Sequence, residues 1–258
     1  MTRAAPPTVS RAAPLARAIA SQAKVEMRLT LRRGENLLAM LGIPAALLLF
    51  LGGTPALPAP VSGMRVDRLL PGTLALAIVA TGLVNLGIAT AYERTYGVLK
   101  RLGGSPLGRL GLVVAKVVVV LIIEIVLAII LVVLAVTVLG WRPRGDIAWL
   151  PLGAAVVLGT ATFAGWGLVL AGTLRAEAVL VLANVLFLLL LGVGGVLLPT
   201  TELPRVLGSL AGVLPSAVLT EAIRSAIKGE AVELGVWAVL AAWAVAAVVA
   251  AARTFQWD

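Results

Sequence analysis

The chain has 258 residues, 60% of them hydrophobic and only 13% charged, with a mean hydropathy of +1.07. That is too little charge to cover a soluble domain, and a formal charge of +9 in so apolar a chain speaks for basic loops and anionic lipid rather than nucleic acid. With no cysteine and no histidine, disulfides, thiolate chemistry and the usual ligands of zinc, haem and iron–sulfur clusters are excluded, and no metal site is expected.

Several apolar tracts exceed the roughly 18 residues that mark a spanning helix. None alternates with the period of two that a barrel requires. The fold class is therefore an all-α integral membrane protein. Residues 1–13 are rich in Pro, Ala and Arg and read as a disordered basic arm. No later polar stretch is long enough for a second domain, so 14–258 is read as a single transmembrane domain.

From Pro14 to Arg33 the pattern is weakly helical. Arg17, Lys24, Arg28 and Arg32 share one face, and Leu15, Ala18, Ile19 and Leu29 lie towards the other, where Glu26 and Arg33 spoil the apolar side. This fits a helix lying in the headgroup layer, with a solvated basic arm as the alternative. Six spans follow, at about 37–53, 69–91, 107–139, 147–172, 178–198 and 232–252. The first is longer than a signal-peptide core and its charged lead is too long, so it reads as a retained helix. A Pro-rich turn, TPALPAPVSG, comes after it.

Six spans put both termini on one side. Of the 21 basic residues, Arg65, Arg68, Arg142, Arg144, Arg205, Arg224 and Lys228 fall on the other side. All the rest but Lys116, at the base of the third span, fall with the termini. The positive-inside rule then makes both termini and the segment between spans two and three cytoplasmic. Trp141 and Trp149 bracket the third-to-fourth turn, where interfacial aromatics belong.

That cytoplasmic segment reads YERTYGVLKRLGGSPLGR, Tyr92 to Arg109. A helix is expected from Glu93 to about Leu102. Tyr92, Tyr96 and Leu99 fall at i, i+4 and i+7 on one face, while Glu93, Arg94, Lys100 and Arg101 project elsewhere. Gly103-Gly104 breaks the helix, and Ser105-Pro106 restarts the chain as an N-cap and first-turn proline. A topology-setting loop needs only the basic residues. An apolar stripe flanked by charge suits a helix that docks in a protein groove.

Within the spans, Glu124 is the one deep acid, about eight residues beyond Lys116 or roughly 12 Å along a helix. An intramembrane carboxylate is a candidate for the substrate path, with a protonated or hydrogen-bonded glutamate at a helix contact as the structural alternative. Asn85 and Asn184 are further path candidates, although such residues more often bond between helices. Thr160 and Thr162 are expected to bond their own helix, and Trp166 and Trp243 to pack.

The stretch YERTYGVLKRLGGSP, with Lys116 ten residues beyond Pro106, resembles the cytoplasmic loop of ABC-2 type transporter permeases. The matching positions are Glu93, Arg94, Gly97, Leu99, Lys100, Arg101, Leu102, Ser105 and Pro106. Gly103-Gly104 departs from the bulkier or basic residues that many relatives carry. A second stretch, LLPTTELPRVLGSLAGVLPSAVLTEAIRSAIKG, is similar to the short outer helices between the family's fifth and sixth spans, with Pro199, Leu203-Pro204, Pro215 and Arg224 as the matching positions. The resemblance implies an interfacial N-terminal helix, six spans, and a coupling helix over Tyr92–Leu102 that docks on a separate cytosolic ATPase. It implies a dimer with itself or a related permease, in a bacterial plasma membrane, exporting a drug-like or lipid-like amphipathic cargo. The chain has no GxxxxGK[ST] motif, so ATP and Mg would sit on the partner. The rival classes are an ion-driven secondary transporter, which should show inverted repeats, and a membrane-embedded lipid enzyme, which should gather acids or a metal site. Neither pattern is present, and no catalytic residue is expected.

Overall fold

The computed structural model describes residues 15–32, 34–54, 64–103, 108–143, 145–195 and 212–254. Helix α1 is Leu15–Arg32 and α2 is Gly34–Gly53. Helix α3, Arg65–Val79, runs through a π-helical stretch, Ala80–Leu86, into α4, Gly87–Thr95. A short α5, Val98–Gly103, precedes the long α6, Gly108–Thr137. Then come α7, Trp149–Thr173, α8, Ala176–Val193, α9, Pro215–Lys228, and α10, Leu234–Thr254.

Five segments are long and apolar enough to cross a bilayer: Arg65–Thr95, Gly111–Thr137, Trp149–Thr173, Ala176–Val193 and Leu234–Thr254. The protein is an all-α, multi-pass membrane protein. The expected first span corresponds to α2, whose apolar part, Met40–Gly53, is shorter than the other five. Glu35 and Asn36 make the start of α2 polar, and Pro44 within it removes one backbone hydrogen bond. The expected second span, 69–91, grows at both ends to Arg65–Thr95. At its start the Asp67 carboxylate accepts the Met64 backbone N–H and the Trp141 indole N–H, each at 2.8 Å. One acid thus caps α3 and ties it to the α6–α7 turn.

The main buried cluster draws on α2, α3, α6, α7, α8, α9 and α10. Helix α9 is buried on α3 and α7, with Val218, Leu219, Ala222 and Ile223 inside. Pro215 stands in its first turn and Gly229, at φ +71°, ends it in the left-handed conformation. The rest of the region read as outer helices, 196–211, lies outside the described residues, as do the 1–13 arm, Ser105 and Pro106.

Helix α1 lies along α6. Its inward face is Ala18, Ile19, Ala23 and Met27, with Glu26 among them, while Leu15 and Leu29 stay exposed. The expected apolar face is therefore turned: the side that carries Glu26 is the side that packs.

Helix α7 crosses its neighbours through glycine. A Cβ on Gly167 would lie 2.5 Å from the Gly82 carbonyl oxygen in the π stretch, and one on Gly165 would lie 2.8 Å from the Ala247 Cβ. Association between helices in lipid relies on such close approach, because lipid tails are as apolar as the side chains. Gly153 on the same helix has nothing within 4 Å. Gly167→Val should destabilise the bundle by about 1–3 kcal/mol or more, the usual cost of overpacking, whereas Gly153→Ala should be neutral. Thermal unfolding in detergent, followed by monodisperse elution, checks this; equal midpoints for the two variants would refute the crossing.

Candidate functional site

The site begins where α4 leaves the bundle. The Tyr96 N–H donates to the Tyr92 carbonyl and the Gly97 N–H to the Arg94 carbonyl, both at 2.9 Å. Gly97 then takes φ +68°, a left-handed turn that ends the helix. The expected single helix over Glu93–Leu102 is thus two pieces with a corner at Gly97. Sequence periodicity counts Gly97 as one more helical position, but without a Cβ it stops the helix more readily than it continues it.

The corner reassigns the expected docking face. Tyr92 and Tyr96 stack, with ring centroids 6.1 Å apart, and Tyr96 is 71% exposed. Leu99 does not join them. It is buried with Leu86, Leu112, Val120 and Leu168, so α5 is anchored through it. Lys100 is exposed. The side chains of Arg101 and Leu102 lie outside the described part.

The charged residues of the segment hold the corner to the bundle. The Arg94 guanidinium donates to the carbonyl of Leu174 at the C-cap of α7, where a helix end presents unmatched carbonyls and a partial negative charge. The Lys116 ammonium, 2% exposed, sits 2.7 Å from Glu93 and 2.9 Å from Glu26. One lysine on α6 therefore joins α1 and α4. Sequence reasoning missed this pair of contacts. Its signals were two anomalies, an acid on the apolar face of α1 and a lysine unassigned to either side.

The intramembrane candidates separate into two places. Asn85, from the π stretch, and Asn184, from α8, line one cavity of about 420 Å³ between α2, α4 and α8. Met40, Tyr92, Tyr96 and Phe187 also line it, so the cavity runs to the corner. The Asn184 amide donates to the Leu180 carbonyl of its own helix at 2.7 Å. π-helical turns re-aim side chains and recur at functional sites; here the turn faces the cavity with Ala80, Val84 and Asn85.

Glu124 lies elsewhere. It is 2% exposed, and the one hydroxyl proton of Thr160 on α7 has two acceptors within reach, the Glu124 carboxylate and the Val156 carbonyl at 2.8 Å. Thr162 bonds Leu158 of its own helix at 2.8 Å, as expected. Trp166 and Trp243 pack edge to face. Among the described residues no group of three or more acids gathers to hold a metal ion.

A multi-pass helical bundle with a basic, glycine-broken corner at one end and a polar-flecked groove rising from it has the build of a membrane permease. The model of the ABC-2 type transporter family matches residues 18–227. The chain belongs to that family, as a membrane permease. No curated protein matches it.

Lys116→Met should leave the half-buried Glu26 and Glu93 carboxylates beside an apolar chain; removing one partner of a fully buried pair costs about 3–5 kcal/mol, and solvent at the two acids brings the loss below that. Glu26→Gln should cost less, because Glu93 still pairs with the lysine. Unfolding midpoints, with limited proteolysis of α1, measure both. A Lys116→Met protein as stable as the parent, with α1 still protected, would remove the ion pairs from the account of this end.

Proposed function

We propose that this permease is the membrane subunit of an ATP-driven exporter, working with a separate cytosolic ATPase and a second permease chain. The carrying observation is the corner itself. Tyr96 and Lys100 are exposed at its tip, while Leu99, Glu93 and Arg94 fix its base to the bundle. A push at the tip is thereby delivered to α1 and α6 through Lys116 and to α7 through Leu174. An ATPase that changes shape can bias a two-state bundle only through such a differential contact.

In this reading the termini and the corner are cytoplasmic, in a bacterial plasma membrane, and α2 supplies a sixth span. The cavity holding Asn85 and Asn184 is the chain's half of the path. Its lining is mostly apolar with a few amide and phenol groups, which suits an amphipathic cargo of lipid-like or drug-like type. The exposed apolar side of α8, with Val181, Val185, Leu188 and Leu189, faces lipid or the second permease chain.

The burial pattern separates docking from folding. Tyr96→Asp with Lys100→Glu should leave the protein in the membrane at normal yield and reduce ATPase recovery and transport about tenfold or more, the scale of losing one or two interface anchors. Leu99→Asp should instead lower the yield of folded protein, because it puts a charge in a sealed apolar cluster. Gentle solubilisation of the tagged chain from its host, with quantification of co-purified ATPase, tests the pair. Undiminished ATPase recovery and transport by the Tyr96/Lys100 variant would sink the docking reading.

A further inference from the structure

A second cavity lies at the other end of the bundle, between α3, α6, α7 and α9. Its volume is about 370 Å³, inside the range of roughly 300–1,000 Å³ typical of ligand sites. Leu74, Ile129, Trp141, Trp149 and Ile223 line it, and among the described residues Glu124 is the only ionisable one in the lining. Its mouth opens on the outer surface of the bundle, where Ile129 is 56% and Trp149 72% exposed. Glu124 is the central residue of the Gly111–Thr137 span, so the cavity runs from an interfacial tryptophan to mid-membrane depth.

The carboxylate is only half satisfied. Thr160 takes Oε2, and the buried Oε1 has no hydrogen-bond partner among the described residues. Of the two indoles in the lining, that of Trp141 donates to Asp67. A buried acceptor without a donor is costly, and acids at this depth mark ligand or ion sites by default. The lining narrows the ligand. A hydrated metal ion needs several oxygen ligands, and the lining supplies one carboxylate. A neutral hydrocarbon would leave Oε1 unmet. A charged nitrogen carrying N–H groups on an apolar body satisfies the oxygen and fills the remainder.

We propose that this crevice binds a lipophilic primary amine from the bilayer, its ammonium donating to Glu124 and its alkyl body lying between α6 and α7. The site is separate from the Asn85–Asn184 groove and does not rest on coupling to an ATPase.

The probe is radiolabelled dodecylamine, titrated onto the full-length protein in phosphatidylcholine nanodiscs, with retention by empty nanodiscs subtracted. Saturable binding is expected. 1-Dodecanol, which keeps the chain and lacks the charge, should bind at least about tenfold more weakly, as should dodecylamine to Glu124→Gln, the scale of one hydrogen bond to a charged group. Ala128→Phe, which fills the cavity from the turn next to Glu124, should abolish retention of both probes. Equal retention of amine and alcohol, or unchanged amine binding by a folded Glu124→Gln protein, would mean apolar partition only and overturn the proposal. If Glu124→Gln does not fold, the alcohol comparison and Ala128→Phe still decide.

Discussion

The ammonium of Lys116, held between Glu26 and Glu93, is the contact on which one whole end of the molecule depends. Charge at that depth is tolerated only when paired and bonded. The pairing dictates where three helices go. Helix α1 must keep Glu26 facing inward, which turns its arginines outward and leaves Leu15 and Leu29 exposed. Helix α4 must end with Glu93 over α6, which sets where the chain corners at Gly97. With Arg94 bonded to Leu174, two consecutive side chains of opposite charge reach two different helices. The corner is thus fixed by electrostatics at its base and by Leu99 burial beyond it.

A different constraint shapes the middle of the bundle. Lipid gives apolar side chains no reason to prefer one another, so helix contact there depends on close backbone approach. Gly82 and Gly167 supply it, with space for no Cβ between them. The π stretch lies at this crossing, and Asn85 follows three residues after Gly82. The polar lining of the groove is consequently a product of backbone packing on α7, not of a separate loop built to present it.

Hydropathy made the long helices legible, because a bilayer demands a long apolar run with its backbone bonds closed internally. It placed α6, α7, α8 and α10 within a few residues of where they lie. It fared worse where a helix outlives its apolar stretch: Arg65–Asp67 and Tyr92–Thr95 are polar, yet helical, because Asp67 caps one end and Lys116 anchors the other. Periodicity also misled at Gly97. A face drawn through Tyr92, Tyr96 and Leu99 assumes unbroken phase, and a left-handed glycine between the second and third members destroys it. Glu26 shows the converse. Taken one helix at a time it is a flaw in an amphipathic pattern, because its partner lies on another helix 90 positions along the chain. Thr160, expected to bond its own helix, has the Glu124 carboxylate as a second acceptor within reach of the same hydroxyl.

The two buried ionisable residues of α6, Lys116 and Glu124, make opposite uses of the same environment. At Lys116 the acids come from other helices and the charge is matched within the protein, which makes the contact structural and places it at the end where force would enter. At Glu124 the protein offers one neutral hydroxyl and leaves an oxygen unmet. An unmet acceptor in hydrocarbon either costs stability without return or is completed by something that arrives. The surrounding described lining, apolar apart from two indoles and open at Ile129 and Trp149, favours arrivals that are themselves largely apolar. The distinction between the two centres is therefore one of who supplies the counter-charge, and that choice separates the part of α6 that holds the fold together from the part that can recognise a ligand.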